Sequence, residues 1–233
     1  MNYKKVIIFG AHPDDEITMA GTIFKMSKSG IKVIVVTMTD GCEGYSNQEI
    51  KEKIVEIRKK EAEECDKVLG ISKRIMLNIP DMGLVNNKET LKKCIKIIRE
   101  EKPDAIFTHG PVDNHRDHIN THFITVEARW HAGEPVSSEL GNPWYTPFLY
   151  YYKGILSGLP SVIIDVTDVE EKRYEALMTQ TSQFKIFRKN KEDFLSEIEY
   201  IKKYRPKRTE KFWIADKVIL ADFLPLEISI NFS

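Results

Sequence analysis

Apolar residues fall in short blocks separated by longer amphipathic stretches. Residues 6–9 (VIIF), 33–36 (VIVV), 75–77 and 105–107 are brief apolar or β-branched runs of strand length. Between them, residues 17–28 place Met19, Ile23, Phe24 and Met26 near one helical face, and residues 48–69 form a long Lys/Glu-rich helical pattern that Gly70 stops. Residues 91–99 read as a third helix, ended by Pro103. Beyond this point the pattern loosens. Residues 131–147, with three prolines and two glycines, read as a long surface loop, a kind that is often functional. Further strands are expected at 150–152 and 162–164, and further helices at 169–181 and 191–203.

Strands alternating with helices imply right-handed βαβ units. The expected fold is therefore α/β: a Rossmann-like, mostly parallel sheet with helices on both faces. Such sheets bind ligands at the carboxyl ends of their strands. His12 follows the first strand, Thr39-Asp40-Gly41 the second and His109 the fourth, so these polar groups emerge at one edge. With no repeat, low-complexity tract or linker, one domain is expected over residues 1–233.

Composition narrows the partners. Hydrophobic residues make up 42% and charged residues 30%, which supports a substantial core. Thirty-five basic residues balance thirty-five acidic ones, an argument against electrostatic capture of nucleic acid or an anionic membrane. Three scattered cysteines, Cys42, Cys65 and Cys94, fit a reducing compartment, and no segment has the apolar length of a signal core or a membrane span. A cytoplasmic protein is expected.

The chemistry concentrates in two places. FGAHPDDE (9–16) sets His12, Asp14, Asp15 and Glu16 side by side as the chain leaves its first strand. Adjacent acids near a core need cationic compensation. Five of the six histidines, His109, His115, His118, His122 and His131, lie in one later stretch. Two histidines and a carboxylate are an established ligand set for catalytic zinc, with an open position left for water. His12 and Asp15 can supply two ligands from one turn, and a histidine of the later stretch the third. Asp14 then stands beside the ion as a proton acceptor. His115 can oppose it, stabilising an oxyanion or protonating a leaving amine, with Asp117 as its hydrogen-bond partner. Structural readings compete. PDDE is also a respectable helix start, His118 and His122 suit one helix face, and His109 and His131 suit satisfied polar positions.

AHPDDE (11–16) together with PVDNHRDH (111–118) resembles the LmbE-like (PIG-L) family of zinc-dependent N-deacetylases, whose motifs occur in this order. The resemblance implies zinc, one ion per chain, on His12, Asp15 and His118. It implies Asp14 as general base, and His115 as oxyanion stabiliser or acid with Asp117 beside it. It also implies substrate contacts at Arg58, in RKKEA, and at Glu43, in TDGCEG. One departure stands out: Gln180 occupies the position of a late-helix histidine that family members often carry before a Ser-Gln pair, which leaves substrate identity open. Trp144 and Tyr145, in the 131–147 loop, are free either to stack on a sugar ring or to pack the loop down.

The implied activity is hydrolysis of the acetamide of an N-acetylglucosamine-type sugar or conjugate. The partner is then a small molecule, and some relatives assemble as hexamers. Two other readings stand beside it. A metal-dependent phosphoesterase would hold a second ion with His122 or Asp113. A Rossmann-like nucleotide-binding module is disfavoured because only Gly10, not G-x-G-x-x-G, follows the first strand.

Overall fold

The computed structural model describes residues 3–154, 159–184, 186, 190–204 and 207–215. Its strands are β1 (Lys5–Gly10), β2 (Lys32–Thr39), β3 (Lys73–Ile79), β4 (Ala105–His109), β5 (Phe148–Lys153), β6 (Val162–Asp165) and β7 (Thr209–Ile214). They form one sheet in the order β3-β2-β1-β4-β5-β7-β6. The five strands from β3 to β5 are parallel, and β7 runs antiparallel to both its neighbours. The helices are α1 (Ala20–Lys28), α2 (Ile54–Leu69), α3 (Lys88–Glu101), α4 (Arg116–Gly133), α5 (Glu170–Thr179), α6 (Thr181–Phe184) and α7 (Lys191–Tyr204).

Successive strand residues point to opposite faces, so a continuous apolar run serves a sheet buried on both sides. Val6, Ile8, Val33, Val35, Ala105 and Phe107 pack on one face with Ile23 of α1, Leu69 of α2 and Ala176 of α5. Ile7, Phe9, Ile34, Val36 and Ile106 pack on the other with Ile98 of α3 and Ile124 of α4. From β1 the chain winds outward through β2 and β3, and from β4 it winds the other way to β5. The β1/β4 boundary is thus a topological switch point, where a crevice opens beyond the strand ends.

The expected elements of the first half are present, with longer ends. Residues 15–19 and 48–53 are 3-10 segments rather than the first turns of α-helices. Two elements escaped the apolar pattern. α4 buries Asp117, His118, Thr121, His122, Thr125 and Ala128. Its inward face is mostly polar, so hydrophobic periodicity is nearly silent. It also takes in residues 131–133, which the proline and glycine pattern places in the loop. β7 (TEKFWI) alternates properly, but one of its inward residues is Glu210. That carboxylate accepts the N–H groups of Gly21 and Thr22 at 2.9 and 2.8 Å, capping α1 from a distant strand.

The 131–147 segment lies away from the strand ends that carry the polar groups. Trp144 donates its indole N–H to the carbonyl of Pro103 (2.9 Å), just before β4 begins. Arg99, almost wholly buried, donates to the carbonyls of His131, Ala132, Glu134, Val136, Ser137 and Gly141. Of the two roles open to Trp144, packing the loop down is the one seen.

Candidate active site

The turn after β1 is held by its own acid. The His12 N–H donates to Asp15 Oδ2 at 2.8 Å, and the Ala11 carbonyl accepts both the N–H and the hydroxyl of Thr39 at the end of β2. The next residues enter the 3-10 segment, in which side chains fan out three per turn. The three acids therefore diverge. Asp14 is partly open and meets Arg58, whose Nη2 lies 3.1 Å from its Oδ1; it makes no helix cap. Glu16 is fully buried against Arg74 of β3 at 2.5 Å, and Arg74 also binds Asp66. Asp15 turns into the switch-point crevice.

There Asp15 meets imidazoles from two elements. His12 Nδ1 lies 3.2 Å from His118 Nε2 and 3.5 Å from Asp15 Oδ2, while His118 Nε2 lies 3.2 Å from Asp15 Oδ1. Tetrahedral ligands held about 2.0–2.1 Å from zinc sit roughly 3.3–3.4 Å apart, a spacing these side chains approach, with His12 facing one Asp15 oxygen and His118 the other. The remaining ring nitrogens face carboxylates: His12 Nε2 is 3.0 Å from Asp81 Oδ1, and His118 Nδ1 is 3.0 Å from Asp113 Oδ2. Metal-binding histidines are oriented in this way. Burial works against a charge on His12, yet Asp117, Asp15 and Asp81 together raise its pKa to about 11. Burial likewise disfavours ionised Asp15, but His109, His118 and His12 hold it well below the ordinary carboxylate range. The cluster gathers carboxylates and imidazoles of the kind that could hold a metal ion.

His109 also lies in this cluster, as a buried polar residue with Asp15 and Tyr152 as partners. It is fully buried, stacks on His118 with ring centroids 4.2 Å apart, and sets Nε2 3.2 Å from Asp15 Oδ2. A register shift between Thr108 and His109 leaves Tyr152 of β5 without a partner across the ladder, and its hydroxyl reaches His109 Nε2 at 3.0 Å. His122 is spent elsewhere, donating from Nδ1 to the His109 carbonyl at 2.9 Å. His131 lies at the far end of α4 beside Glu127.

His115 and Asp117 meet differently from expectation. His115 precedes α4, and its Nδ1 accepts the backbone N–H of Asp117 at 3.2 Å. The Asp117 carboxylate instead accepts the Met82 N–H at 2.7 Å and approaches His12 Nε2 at 3.6 Å. Partial burial, with the nearby His12 and His118, lowers the His115 pKa against the pull of Asp117 and Asp81. Asp117 does not make His115 cationic, because a helix-start residue aims its side chain at its own first turn.

Arg58 is not a charge on a solvated face. It is almost wholly buried on α2 beneath Gly41 and Gly44. A Cβ on Gly44 would stand 2.5 Å from its Nη1, and one on Gly41, whose φ is +69°, 2.6 Å away. The glycines of TDGCEG make room for the guanidinium that holds Asp14. Glu43, between them, is exposed. Asp81 and the His109–Tyr152 pair were missed by the sequence reading. Asp81 follows β3, so the strand-end rule points to it, but only three-dimensional folding pairs it with His12.

Residues 7–129 match the family model of PIG-L, described as GlcNAc-PI de-N-acetylase. The chain is 30% identical over 194 residues to a diacetylchitobiose deacetylase of Thermococcus kodakarensis, covering 78% of this chain and 70% of that protein. It is 28% identical over 197 residues to a 1D-myo-inositol 2-acetamido-2-deoxy-alpha-D-glucopyranoside deacetylase of Rhodococcus erythropolis, covering 72% and 67%. Its structure resembles N,N'-diacetylchitobiose deacetylase from Pyrococcus horikoshii with a TM-score of 0.79 and 35% identity, covering 91% of this chain and 84% of that one. These relatives lend no support to the phosphoesterase or nucleotide-module readings.

Proposed function

This chain belongs to the PIG-L family of de-N-acetylases, and from that premise we propose that it hydrolyses the acetamide of an N-acetylglucosamine-type sugar or conjugate with His12, Asp15 and His118 holding a zinc ion. The observation that carries the reading is the 3.2–3.5 Å triangle of those three side chains, with the Asp14 carboxylate next to it. When bound, the divalent ion supplies Lewis-acid polarisation of the amide carbonyl and acidifies water.

The chain's own groups do the rest. Arg58 fixes one oxygen of Asp14, leaving the other to take a proton from the attacking water. Because His115 Nδ1 accepts the Asp117 N–H, the proton of its neutral ring sits on Nε2. That Nε2–H is a donor for the oxyanion that develops as water adds to the carbonyl. The C–N bond then breaks, Asp14 returns its proton to the amine nitrogen, and acetate and a free amino sugar leave. Asp81, hydrogen-bonded to His12 Nε2, keeps that imidazole in the tautomer that aims Nδ1 at the centre, and Asp113 stands 3.0 Å from His118 Nδ1.

The test is acetate release by metal-loaded protein from N-acetylglucosamine, its malate and inositol conjugates, and diacetylchitobiose, with metal content measured in parallel. One ion per chain and turnover of at least one substrate are expected. Asp14→Asn should lower kcat about 100- to 10,000-fold with the metal content unchanged. Near-normal turnover by that variant would remove Asp14 from its role.

A further inference from the structure

Arg58 meets the proposed catalytic base, yet its own hydrogen bonds hold it poorly. Among the described residues its guanidinium donates, besides the contact with Asp14, to the Gly41 carbonyl alone, at 3.4 Å from Nη1. Its buried Nε has no hydrogen-bond partner among them. An arginine side chain has many rotamers, so here its walls must confine it. The 41–44 turn supplies one wall, since added Cβ atoms at Gly41 and Gly44 would stand 2.6 and 2.5 Å from Nη1.

That turn closes on itself, with the Gly44 N–H donating to the Gly41 carbonyl at 3.0 Å. A single side chain of α6 ties it outward. Gln183, buried, donates from Nε2 to the Gly44 carbonyl at 3.0 Å and to Ser182 Oγ at 2.8 Å. α6 is four residues long, too short to persist unaided. Glu61, one turn after Arg58 on α2, anchors it. On Oε1 the buried carboxylate accepts the Thr181 hydroxyl at 2.9 Å and the Ser182 N–H at 2.7 Å; on Oε2 it accepts the Ser182 hydroxyl at 2.6 Å. Gln180 adds a bond from Nε2 to the Glu61 carbonyl at 3.3 Å. Burying a carboxylate costs solvation, and charge-assisted hydrogen bonds, about twice as strong as neutral ones, offset that cost. α2 thus carries both the guanidinium and the anchor of the wall that confines it.

We infer that Glu61 and Gln183 are positioning residues for the catalytic base: Glu61 pins α6 to α2, and Gln183 uses the pinned helix to hold the 41–44 turn against Arg58, which fixes Asp14. The inference rests on the deacetylase reading above and adds two residues that act through Arg58.

Metal-loaded Gln183→Met and Glu61→Gln are assayed for acetate release, alone and combined with Arg58→Met, with metal content and Tm measured for each. In the wild-type background Gln183→Met lowers kcat about 10- to 100-fold, and Glu61→Gln, which keeps one acceptor oxygen, lowers it less, both with the metal retained. In the Arg58→Met background neither change alters kcat by more than about twofold, because the side chain they act on is gone. A helix cap of purely structural value would cost the same factor in both backgrounds, and such additivity overturns the inference. A separate arm needs no catalysis: hydrogen exchange at the amides of residues 41–44 quickens about tenfold or more in Gln183→Met, while that of β1 and β2 is unchanged. Unchanged exchange in the turn likewise overturns the inference. If the wild type turns over no N-acetyl sugar, the deacetylase reading falls; quickened exchange would then still uphold the hold on the turn, and unchanged exchange would refute it.

Discussion

Asp14, Asp15 and Glu16 are consecutive acids in three different surroundings. Asp14 stays partly open beside Arg58, Asp15 sinks among His12, His109 and His118, and Glu16 is sealed against Arg74. A 3-10 turn separates them angularly, and each finds its own cation or imidazole, so the crowding that looks costly in sequence is relieved in space. Their variants should diverge accordingly: Asp15→Asn should lose the metal, whereas Glu16→Gln should keep it and lower stability, as metal analysis and calorimetry will report. Gly44 offers a finer probe. A methyl group there would stand 2.5 Å from Arg58 Nη1, and the guanidinium is the part able to move. Gly44→Ala should therefore cut kcat by about tenfold or more by loosening Asp14 while shifting Tm little, since a misplaced catalytic group costs rate before stability. Unchanged kcat would show that Arg58 does not orient Asp14.

At the scale of elements, two buried polar devices hold the periphery to the sheet. Arg99 gathers six carbonyls of the 131–141 stretch around one guanidinium. Arg99→Met leaves buried acceptors unpaired and should cost about 3–5 kcal/mol. In a chain of this length that is roughly 6–20 °C of Tm. Turnover below the transition should hold, because the loop is remote from the site; a large loss of kcat at unchanged Tm would contradict that placement. Glu210 of β7 caps α1, yet burial raises its pKa in spite of the two N–H bonds and of Arg173. A carboxyl whose folded pKa is raised contributes stability below its unfolded pKa and loses it as pH rises through the folded value. Relative to Glu210→Gln, the wild type should thus lose stability from pH 4.5 towards pH 7. Tm differences measured at both ends check the sign, and a wild type that gains on the variant over that interval would refute it.

For the molecule as a whole, the proposed centre joins the turn after β1 to α4 across the switch point of the sheet. An ion bound only by the folded chain stabilises it by about 2.7 kcal/mol at a hundredfold excess over Kd. Chelation should then lower Tm by roughly 5–10 °C. His118→Ala should already sit near the lowered value and respond little to chelator. A chelator-insensitive Tm in the wild type would mean that no ion bridges these segments.

Much of this was readable along the chain. Continuous β-branched runs are dictated by a sheet buried on both faces, so β1, β2 and β4 and the α/β class followed from local pattern alone. The AHPDDE and PVDNHRDH motifs were legible because their chemistry sits in contiguous residues at strand and helix ends. What escaped were polar groups whose justification lies far away in sequence. The first turns of α4 point histidines towards the crevice, whereas Ile124, Ala128 and Ala132 further along pack in the core. Glu210 is tolerated in β7 because α1 presents unpaired N–H groups to it, and Asp81 is placed only when β3 comes to lie beside β2. Hydrophobic burial is written locally as periodicity; the satisfaction of a buried charge depends on a partner that only the folded chain supplies.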